Sequence, residues 1–192
     1  MAIRTLSLFA GCGGLDLAIG LATESHRPVC YVENEVTAAR ILAARFADGS
    51  LPAAPIWSDI RSFDGTAWRG CVDLIVGGFP CTDLSVAGKQ AGIAEGTRSG
   101  LWFEYLRIIR EVQPRWVAIE NVPPVLAHPA GGIVLGGLAA LGFDAEWGTL
   151  RASDVGATHQ RKRVFILAYA TSVGRHGESA EVGVLDAHVR SA

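Results

Sequence analysis

The 192-residue sequence lacks three features that would each assign it early to a class of protein. No apolar run approaches the roughly 18 residues that a membrane-spanning helix needs. The longest candidate, "IVLGGLAALGF", is broken by glycines and suits a buried helix. The four cysteines form no C-x-x-C pair and have no matching histidine cluster, which disfavours a zinc site and a disulfide framework. Positive charge is not in excess, since the formal net charge is -2, so any nucleic-acid-binding surface must be local.

The N-terminus, "MAIRTLSLFAGCGGLDLAIGLA", has an early arginine followed by an apolar stretch, as a signal peptide does. The glycine cluster in its middle would weaken an apolar targeting helix. Because unpaired cysteines also suit a reducing compartment, the sequence predicts a cytoplasmic protein. With 49% hydrophobic and 19% charged residues, it is expected to form one globular domain with a substantial core.

Short apolar runs rich in β-branched residues alternate with segments of helical periodicity. Strands are predicted at RTLSLFAG, VCYVE, IWSDI, CVDLIVGG, RWVAIENV, AEWGTLR and RVFILAYA. Helices are predicted from about Gly13 and at NEVTAARILAARFA, LWFEYLRIIREV and GIVLGGLAALGF. This alternation predicts an α/β fold with a doubly wound, mostly parallel seven-stranded sheet and helices on both faces. Residues 1–170 are predicted to form this domain, and residues 171–192, which lack sustained periodicity, a linker or disordered tail.

Ligands of such sheets bind at the carboxyl ends of the strands, so the residues that follow each strand are candidates for a site. The turn FAGCGG after the first strand lets the backbone approach a ligand and directs helix amides at it, although G-x-G-G alone is a weak signal. Glu33 ends the second strand, where doubly wound folds carry an acidic residue that holds a ribose; a solvated loop carboxylate is the alternative. Asp59, after the third strand, is either a ligand-binding residue or a helix cap.

The fourth predicted strand leads into Cys81 through a Gly-Gly-Phe-Pro turn, and the fifth ends in Glu120. If these two strands are neighbours in the sheet, the thiol and the carboxyl share one crevice. A free thiol is mostly protonated at neutral pH and needs a polarising site to act as a nucleophile. The alternatives are an inert buried cysteine, which the glycine-rich turn disfavours, and a structural carboxylate.

Two further segments border this crevice. SVAGKQAGIAEGTRSG, from Ser85 to Gly100, has four glycines and few bulky apolar residues, and it leaves directly from the Cys81 turn. Structureless connections longer than about 12–15 residues are uncommon unless they are functional, so we interpret this one as a lid, with a surface loop or a broken short helix as alternatives. HQRKR, residues 159–163, is a solvated face or a phosphate-binding cluster. The residues by themselves predict a nucleotide-like cofactor, a nucleophilic thiol, an acid and an anionic substrate.

Four motifs, in order, resemble those of the cytosine-C5 DNA methyltransferases. SLFAGCGGLDLA resembles the first motif of that family, which binds S-adenosylmethionine, and GGFPCTDLSVAGK resembles its catalytic Pro-Cys motif. ENV, residues 120–122, is similar to the Glu-Asn-Val motif, and HQRKR to the Gln-x-Arg-x-Arg motif. The resemblance covers roughly residues 3–170 and implies the Rossmann-like fold of S-adenosylmethionine-dependent methyltransferases.

The resemblance also implies a role for each matched residue. Cys81 would add to C6 of a flipped-out cytosine, Glu120 would protonate or hydrogen-bond N3, and Arg163 would contact the base. The implied residues around the cofactor, S-adenosylmethionine, are Phe9, Gly11, Gly13, Glu33, Asp59, Ile60, Gly78, Pro80 and Leu101. On the DNA side the implied residues are Ser85, Lys89, Arg98, Arg161 and Asn121, the last through its support of the loop geometry. The implied activity is DNA methylation of the kind found in restriction-modification systems, with no metal.

The chain departs from the family pattern in three respects. His159 stands where the family has Gln, Thr82 follows the cysteine where Gln is frequent, and neither a target-recognition domain nor the last motif (Gln-x-x-Gly-Asn) is found. We therefore expect a truncated or split DNA methyltransferase, with a second chain as one source of target recognition. The alternatives are a tRNA cytosine-C5 methyltransferase and a non-catalytic cofactor- or DNA-binding remnant or partner subunit. The intact Cys81, Glu120 and Arg163 argue against a remnant.

Overall fold

The computed structural model describes residues 2–23, 25–81, 93, 99–127 and 129–171. Within these residues, the strands are β1 (Ile3–Leu8), β2 (His26–Val32), β3 (Ile56–Trp57), β4 (Leu74–Gly77), β5 (Trp116–Asn121), β6 (Phe143–Leu150) and β7 (Arg163–Ala170). The α-helices are α1 (Gly14–Ala22), α2 (Val36–Ala47), α3 (Leu101–Val112) and α4 (Ala130–Ala140). Short 3₁₀ helices lie at Ile60–Ser62, Thr66–Trp68, Pro123–Leu126 and Ala152–Val155. Every predicted strand and helix is present, and the predicted α/β class is confirmed.

The seven strands form one sheet in the order β3-β2-β1-β4-β5-β7-β6. The pairs from β3 to β5 are parallel, whereas β7 runs antiparallel to both β5 and β6. From β1 the chain first builds outward to β2 and β3, and it then continues on the other side of β1 with β4. The topological switch point therefore lies between β1 and β4, and in doubly wound sheets the ligand crevice opens outside the carboxyl ends of the strands at that point.

The helices α1 and α3 differ in the kind of side chain that they bury. Helix α3 is amphipathic and ends at Val112; the next residue, Gln113, has a left-handed backbone and precedes Pro114. Its core-facing residues are Trp102, Tyr105, Ile108, Ile109 and Val112. Helix α1 instead buries Asp16 and exposes Leu17 and Leu21. An acidic residue on the inner face of an otherwise apolar helix is costly to bury unless polar neighbours bind it.

Strand β7 alternates between buried and exposed side chains. Val164 and Ile166 of β7 are buried, whereas Phe165 and Leu167 between them are 39% and 42% exposed. One face of the sheet is therefore partly open at β7. Among the described residues, no helix is long and apolar enough to cross a membrane.

Gly77 allows β1 and β4 to approach at the switch point. A Cβ atom at this position would overlap the carbonyl oxygen of Leu8 on the neighbouring strand. We expect Gly77→Ala to destabilise the fold by about 1–3 kcal/mol, because the backbone of one strand must move. Urea unfolding monitored by circular dichroism measures this difference.

Gly136→Ala is the matched control for Gly77→Ala. Gly136 lies in α4 with open space where a Cβ would stand. Alanine there should raise stability by up to about 1 kcal/mol, since glycine is a poor helix former. Equal effects of the two substitutions would contradict the close approach of the strands at Gly77.

Candidate active site

The backbone after β1 turns sharply through three residues with positive φ. Phe9, Gly11 and Gly13 have φ values of 52°, 55° and 78°. Positive φ is uncommon for a bulky residue such as phenylalanine, and such conformations cluster at functional sites. Gly13 also packs tightly, because a Cβ there would overlap the Leu51 side chain. The turn brings the first amides of α1, which begins at Gly14, to the mouth of the crevice.

A cavity of about 510 Å³, called here the first cavity, lies at the switch point. The turn after β1 forms one wall, and Gly77 at the end of β4 forms another with Gly78, which follows it. Glu120, Arg161 and Phe165 complete its lining from the β5 and β7 side. The first cavity therefore joins the glycine turn of the first motif to the carboxylate of the third.

A neighbouring cavity of about 320 Å³, the second cavity, shares Phe9 with the first. Its apolar lining includes Val32, Ile60, Pro80 and Leu101, and its polar lining includes Asn34, Glu35, Ser58, Asp59 and Arg61. Such a lining suits a flat apolar ring with polar edges. Five residues that the resemblance implies for the cofactor line this cavity: Phe9, Asp59, Ile60, Pro80 and Leu101.

Glu33 connects the end of β2 to the turn after β1. Its Oε2 accepts a hydrogen bond from the Gly11 amide at 2.7 Å, and its Oε1 accepts one from the Glu35 amide at 2.7 Å. A carboxylate oxygen can accept more than one hydrogen bond, so each oxygen retains acceptor capacity for a ligand hydroxyl.

The loop that carries Cys81 rests on the end of β5. Strands β4 and β5 are parallel neighbours, with Gly77 opposite Ile119. The buried Asn121 donates from Nδ2 to the Phe79 carbonyl at 3.1 Å. Cys81 itself is half-buried and packs against the core. It lines neither cavity, whereas Gly78 of the same loop lines the first and Pro80 lines the second.

Gly78 permits the close packing of this loop on Glu120. A Cβ at position 78 would stand 2.9 Å from both the carbonyl oxygen and Oε2 of Glu120. Glycine therefore leaves room for the Glu120 carboxylate beside the turn that leads to Cys81. The neighbouring strands bring the thiol-bearing loop and the carboxyl to one crevice.

Arg163 at the start of β7 pairs with Glu120 at the end of β5. Its Nε lies 2.8 Å from Glu120 Oε1, and the side chains are 24% and 31% exposed. The antiparallel register places Phe165 opposite Glu120, so the beginning of β7 meets the end of β5. Arg161, two residues earlier, has a positive φ of 32° and lines the first cavity.

Some predicted residues lie outside the described part of the chain. These residues are Thr82, Ser85, Lys89 and Arg98. Most of the predicted lid and most of the predicted tail also lie outside the described residues. Of the lid, Ile93 and Ser99 are described and buried. Asn121, assigned to the DNA side, is occupied by backbone partners, because its Oδ1 also accepts from the Val122 amide at 2.8 Å. Its geometry fits support of the loop better than a direct DNA contact.

Asp16 is a residue of this site that the sequence reasoning missed. It lines the first cavity, is 1% exposed, and accepts a hydrogen bond at Oδ2 from Ser7 Oγ at 2.7 Å. Its Oδ1 lies 4.0 Å from His26 Nε2, and neither of these two atoms has a hydrogen-bond partner in the described structure. Burial raises the pKa of the Asp16 carboxyl to about 6, against the smaller lowering effect of the Ser7 bond. The available signal was that Asp16 is the one charged residue in GLDLAIGLA.

We expect Asp16→Asn to stabilise the protein near pH 7.5 by about 2–3 kcal/mol and to have little effect near pH 3.5. The folded state holds the proton of Asp16 up to about pH 6, whereas an exposed aspartate releases it near pH 3.8. Relative to the asparagine variant, the wild-type protein therefore loses stability as the pH rises through this window. Thermal unfolding at several pH values measures the difference, and a gap that is constant with pH would contradict it.

Comparison with known proteins identifies the family of this chain. The family model for the C-5 cytosine-specific DNA methylase matches residues 3–184. A type II methyltransferase, M.CviJI of Paramecium bursaria Chlorella virus IL3A, is 36% identical over 170 residues, which are 88% of this chain and 43% of the relative. M.NgoPII of Neisseria gonorrhoeae is 33% identical over 170 residues, 87% of this chain and 48% of the relative. The chain belongs to the C-5 cytosine-specific DNA methylase family, and it spans less than half the length of these two relatives.

Solved structures share the fold. A DNA modification methyltransferase encoded in an Escherichia coli prophage superposes with a TM-score of 0.71 at 24% identity, covering 90% of this chain and 48% of the other. The Dnmt2 methyltransferase of S. pombe gives a TM-score of 0.69 at 21% identity, covering 88% of this chain and 50% of the other. The Rossmann-like methyltransferase fold predicted from the sequence is confirmed.

Proposed function

We propose that this chain is the catalytic, S-adenosylmethionine-binding part of a DNA (cytosine-5)-methyltransferase. The observation that carries this proposal is the meeting of three motifs at one edge of the sheet. Asn121 binds the carbonyl of Phe79, two residues before Cys81, while Glu120 beside it pairs with Arg163. A nucleophile, an acid and a cation in one crevice are the groups that activation of a pyrimidine ring requires.

The lining of the two cavities fits S-adenosylmethionine. The second cavity offers Ile60, Pro80 and Leu101 to an adenine ring and Asp59 to its polar edge. Glu33 binds the amide of Gly11, which lines the first cavity, and the amide of Glu35, which lines the second, and it would offer its remaining acceptor capacity to the ribose hydroxyls. Gly11 and Gly78 line the first cavity, where the methionine part would lie, and Gly13 packs against Leu51 in the same turn. When bound, this cofactor supplies an electrophilic methyl group on a sulfonium.

The chemistry assigned to the side chains follows from the weakness of cytosine C5 as a nucleophile. The Cys81 thiolate forms a bond to C6, and the electron pair of the C5–C6 double bond becomes available at C5. Glu120 donates a proton or a hydrogen bond at N3, where negative charge develops during this addition. After C5 takes the methyl group, its proton leaves to a base, the double bond forms again, and the thiolate is expelled.

The cations near the crevice are assigned to the substrate. Arg163 holds Glu120 through Nε and would present its remaining donors to the base. Arg161 lines the first cavity and would lie near the DNA backbone. A cytosine inside a duplex cannot reach Cys81, so the nucleotide must be flipped out of the stack. Ser85, Lys89 and Arg98 remain predictions as DNA contacts on a lid over this site.

Target recognition is assigned to protein outside the region that the relatives share with this chain. Readout of base edges needs dedicated side chains in a DNA groove. The near-neutral charge of the chain fits a catalytic region better than a region that binds the DNA backbone over a large surface. A second chain is one arrangement that would supply these groups. The division into a domain at 1–170 and a tail at 171–192, and the cytoplasmic location, stay predictions.

Methyl transfer from radiolabelled S-adenosylmethionine tests the proposal, with the chain alone and together with the product of the neighbouring reading frame. The expected product is 5-methylcytosine in duplex DNA, identified by mass spectrometry of the nucleosides. Transfer of the radiolabelled methyl group to tRNA alone would favour a tRNA cytosine-C5 methyltransferase. The match to the DNA methylase family and the type II relatives does not favour that alternative. Cofactor binding with no transfer to either nucleic acid would favour a non-catalytic subunit.

A further inference from the structure

One side chain, Arg107, joins α3 to the segment that follows β3. Its Nη2 donates to the Ile60 carbonyl at 2.8 Å, and its Nη1 donates to the Phe63 carbonyl at 2.9 Å. A planar guanidinium fixes the direction as well as the distance of such bonds. Arg107 therefore sets the position of residues 60–63 relative to α3.

Two glutamates of α3 hold the guanidinium in place. Arg107 Nε donates to Glu104 Oε2 at 2.8 Å, and Nη1 donates to Glu111 Oε2 at 2.8 Å. Glu111 Oε2 also accepts from the Gly65 amide at 2.9 Å, which adds a second link to the same segment. The three side chains are only 22–31% exposed, so the network is less screened by solvent than an isolated surface ion pair.

Both elements that Arg107 joins form walls of the second cavity. Ile60 lines it from the segment after β3, and Leu101 lines it as the first residue of α3. The carbonyl that Arg107 binds belongs to Ile60 itself. Arg107 does not line the cavity, yet its hydrogen bonds join the two elements that form these walls.

We propose that Arg107 is a positioning residue for the adenine end of the cofactor, acting through the backbone of Ile60. This inference rests on the proposed function, because it takes the second cavity as the adenine site. Without the guanidinium, the segment after β3 would sample other positions, and a ligand would have to order it on binding. Affinity for adenine-containing ligands should fall while the chemistry at Cys81 and Glu120 is unaffected.

The test uses Arg107→Met and Arg107→Lys in the full chain, with Arg110→Met and Arg4→Met as controls. Arg110 is an exposed arginine of the same helix. Arg4 pairs with Asp73 through Nε at 2.9 Å, so its loss removes an ion pair outside both cavities. Isothermal titration gives the Kd for S-adenosylhomocysteine and for adenosine. Hydrogen exchange in the ligand-free protein reports on residues 60–68.

We expect Arg107→Met to raise both Kd values by about 10- to 100-fold and to speed exchange in residues 60–68. Arg107→Lys should be intermediate, because an ammonium cannot reach both carbonyls in the same fork geometry. In a transfer assay the KM for S-adenosylmethionine should rise with kcat nearly unchanged. Both controls should keep wild-type affinity. If Arg107→Met does not fold, Glu111→Gln, which weakens the support of the guanidinium, should show the same direction of change.

Two results would overturn the inference. One is unchanged hydrogen exchange of residues 60–68 in a folded Arg107 variant. The other is a loss of affinity that Arg4→Met reproduces, because that would mark a general effect of lower stability. In a different outcome, the wild-type protein binds no S-adenosylhomocysteine while hydrogen exchange of residues 60–68 still rises in Arg107→Met. That result would contradict the proposed cofactor and support the role of Arg107 in holding residues 60–63.

Discussion

Cys81→Ser should abolish the covalent adduct that the protein forms with DNA containing 5-fluorocytosine in the presence of S-adenosylmethionine. Fluorine replaces the proton that must leave C5, so the thioether to Cys81 cannot be released and the complex survives denaturing electrophoresis. A serine hydroxyl is a far weaker nucleophile than a thiol at neutral pH. Methyl transfer should fall by about 10⁴-fold or more, a loss typical of removing a covalent nucleophile.

Affinity for S-adenosylhomocysteine should stay within about twofold in Cys81→Ser, because Cys81 lines neither of the two cavities that we propose for the cofactor. Cys71→Ser is the matched control, since Cys71 is an exposed free thiol in the turn before β4. It should leave adduct formation and transfer unchanged. If Cys81→Ser still formed the adduct, another residue would be the nucleophile.

Glu120→Gln should reduce methyl transfer by about 10²- to 10⁴-fold and leave cofactor affinity intact. Glutamine matches glutamate in size and can still accept from Arg163, but it cannot deliver a proton to N3. The lost ion pair is 24% and 31% exposed, so the stability of the fold should change by less than about 1 kcal/mol. Single-turnover rates and the rate of adduct formation should fall together, since we propose that Glu120 acts during the addition of Cys81.

Glu146→Gln is the control for Glu120→Gln, because Glu146 is an exposed glutamate on β6. It should transfer methyl groups at the wild-type rate. Arg163→Met adds a second measurement, because it leaves the carboxyl but removes the guanidinium that holds it. A lower rate in Arg163→Met with a normal rate in Glu120→Gln would assign the activation of cytosine to the arginine.

The positions of the strands and helices were predictable because each depends on local periodicity. Strand β7 spans the predicted RVFILAYA segment, and α3 spans LWFEYLRIIREV. Alternation every second residue, or every third and fourth, records which side of an element is buried. The candidate residues at the strand ends were predictable for a related reason, since the carboxyl edge of a doubly wound sheet collects the residues that follow its strands.

The partners of the charged side chains were not predictable in the same way. Helix α3 carries Glu104, Arg107, Arg110 and Glu111, and no local pattern indicates that Arg107 rather than Arg110 binds the segment after β3. Asp16 was similarly hidden, because its Ser7 and His26 neighbours come from β1 and β2. A hydrogen bond depends on distances across elements, and these follow from sheet order and helix packing.

The sequence by itself determined the elements of this protein, its family motifs and the chemical groups at its strand ends, because these are properties of short stretches of chain. The tertiary structure decided that β4 lies beside β5 and that β7 runs antiparallel to β5. Those two pairings bring the Cys81 loop, Glu120 and Arg163 to one crevice from positions far apart in the chain. Strand order and register are set by the packing of the whole sheet, and no local segment encodes them.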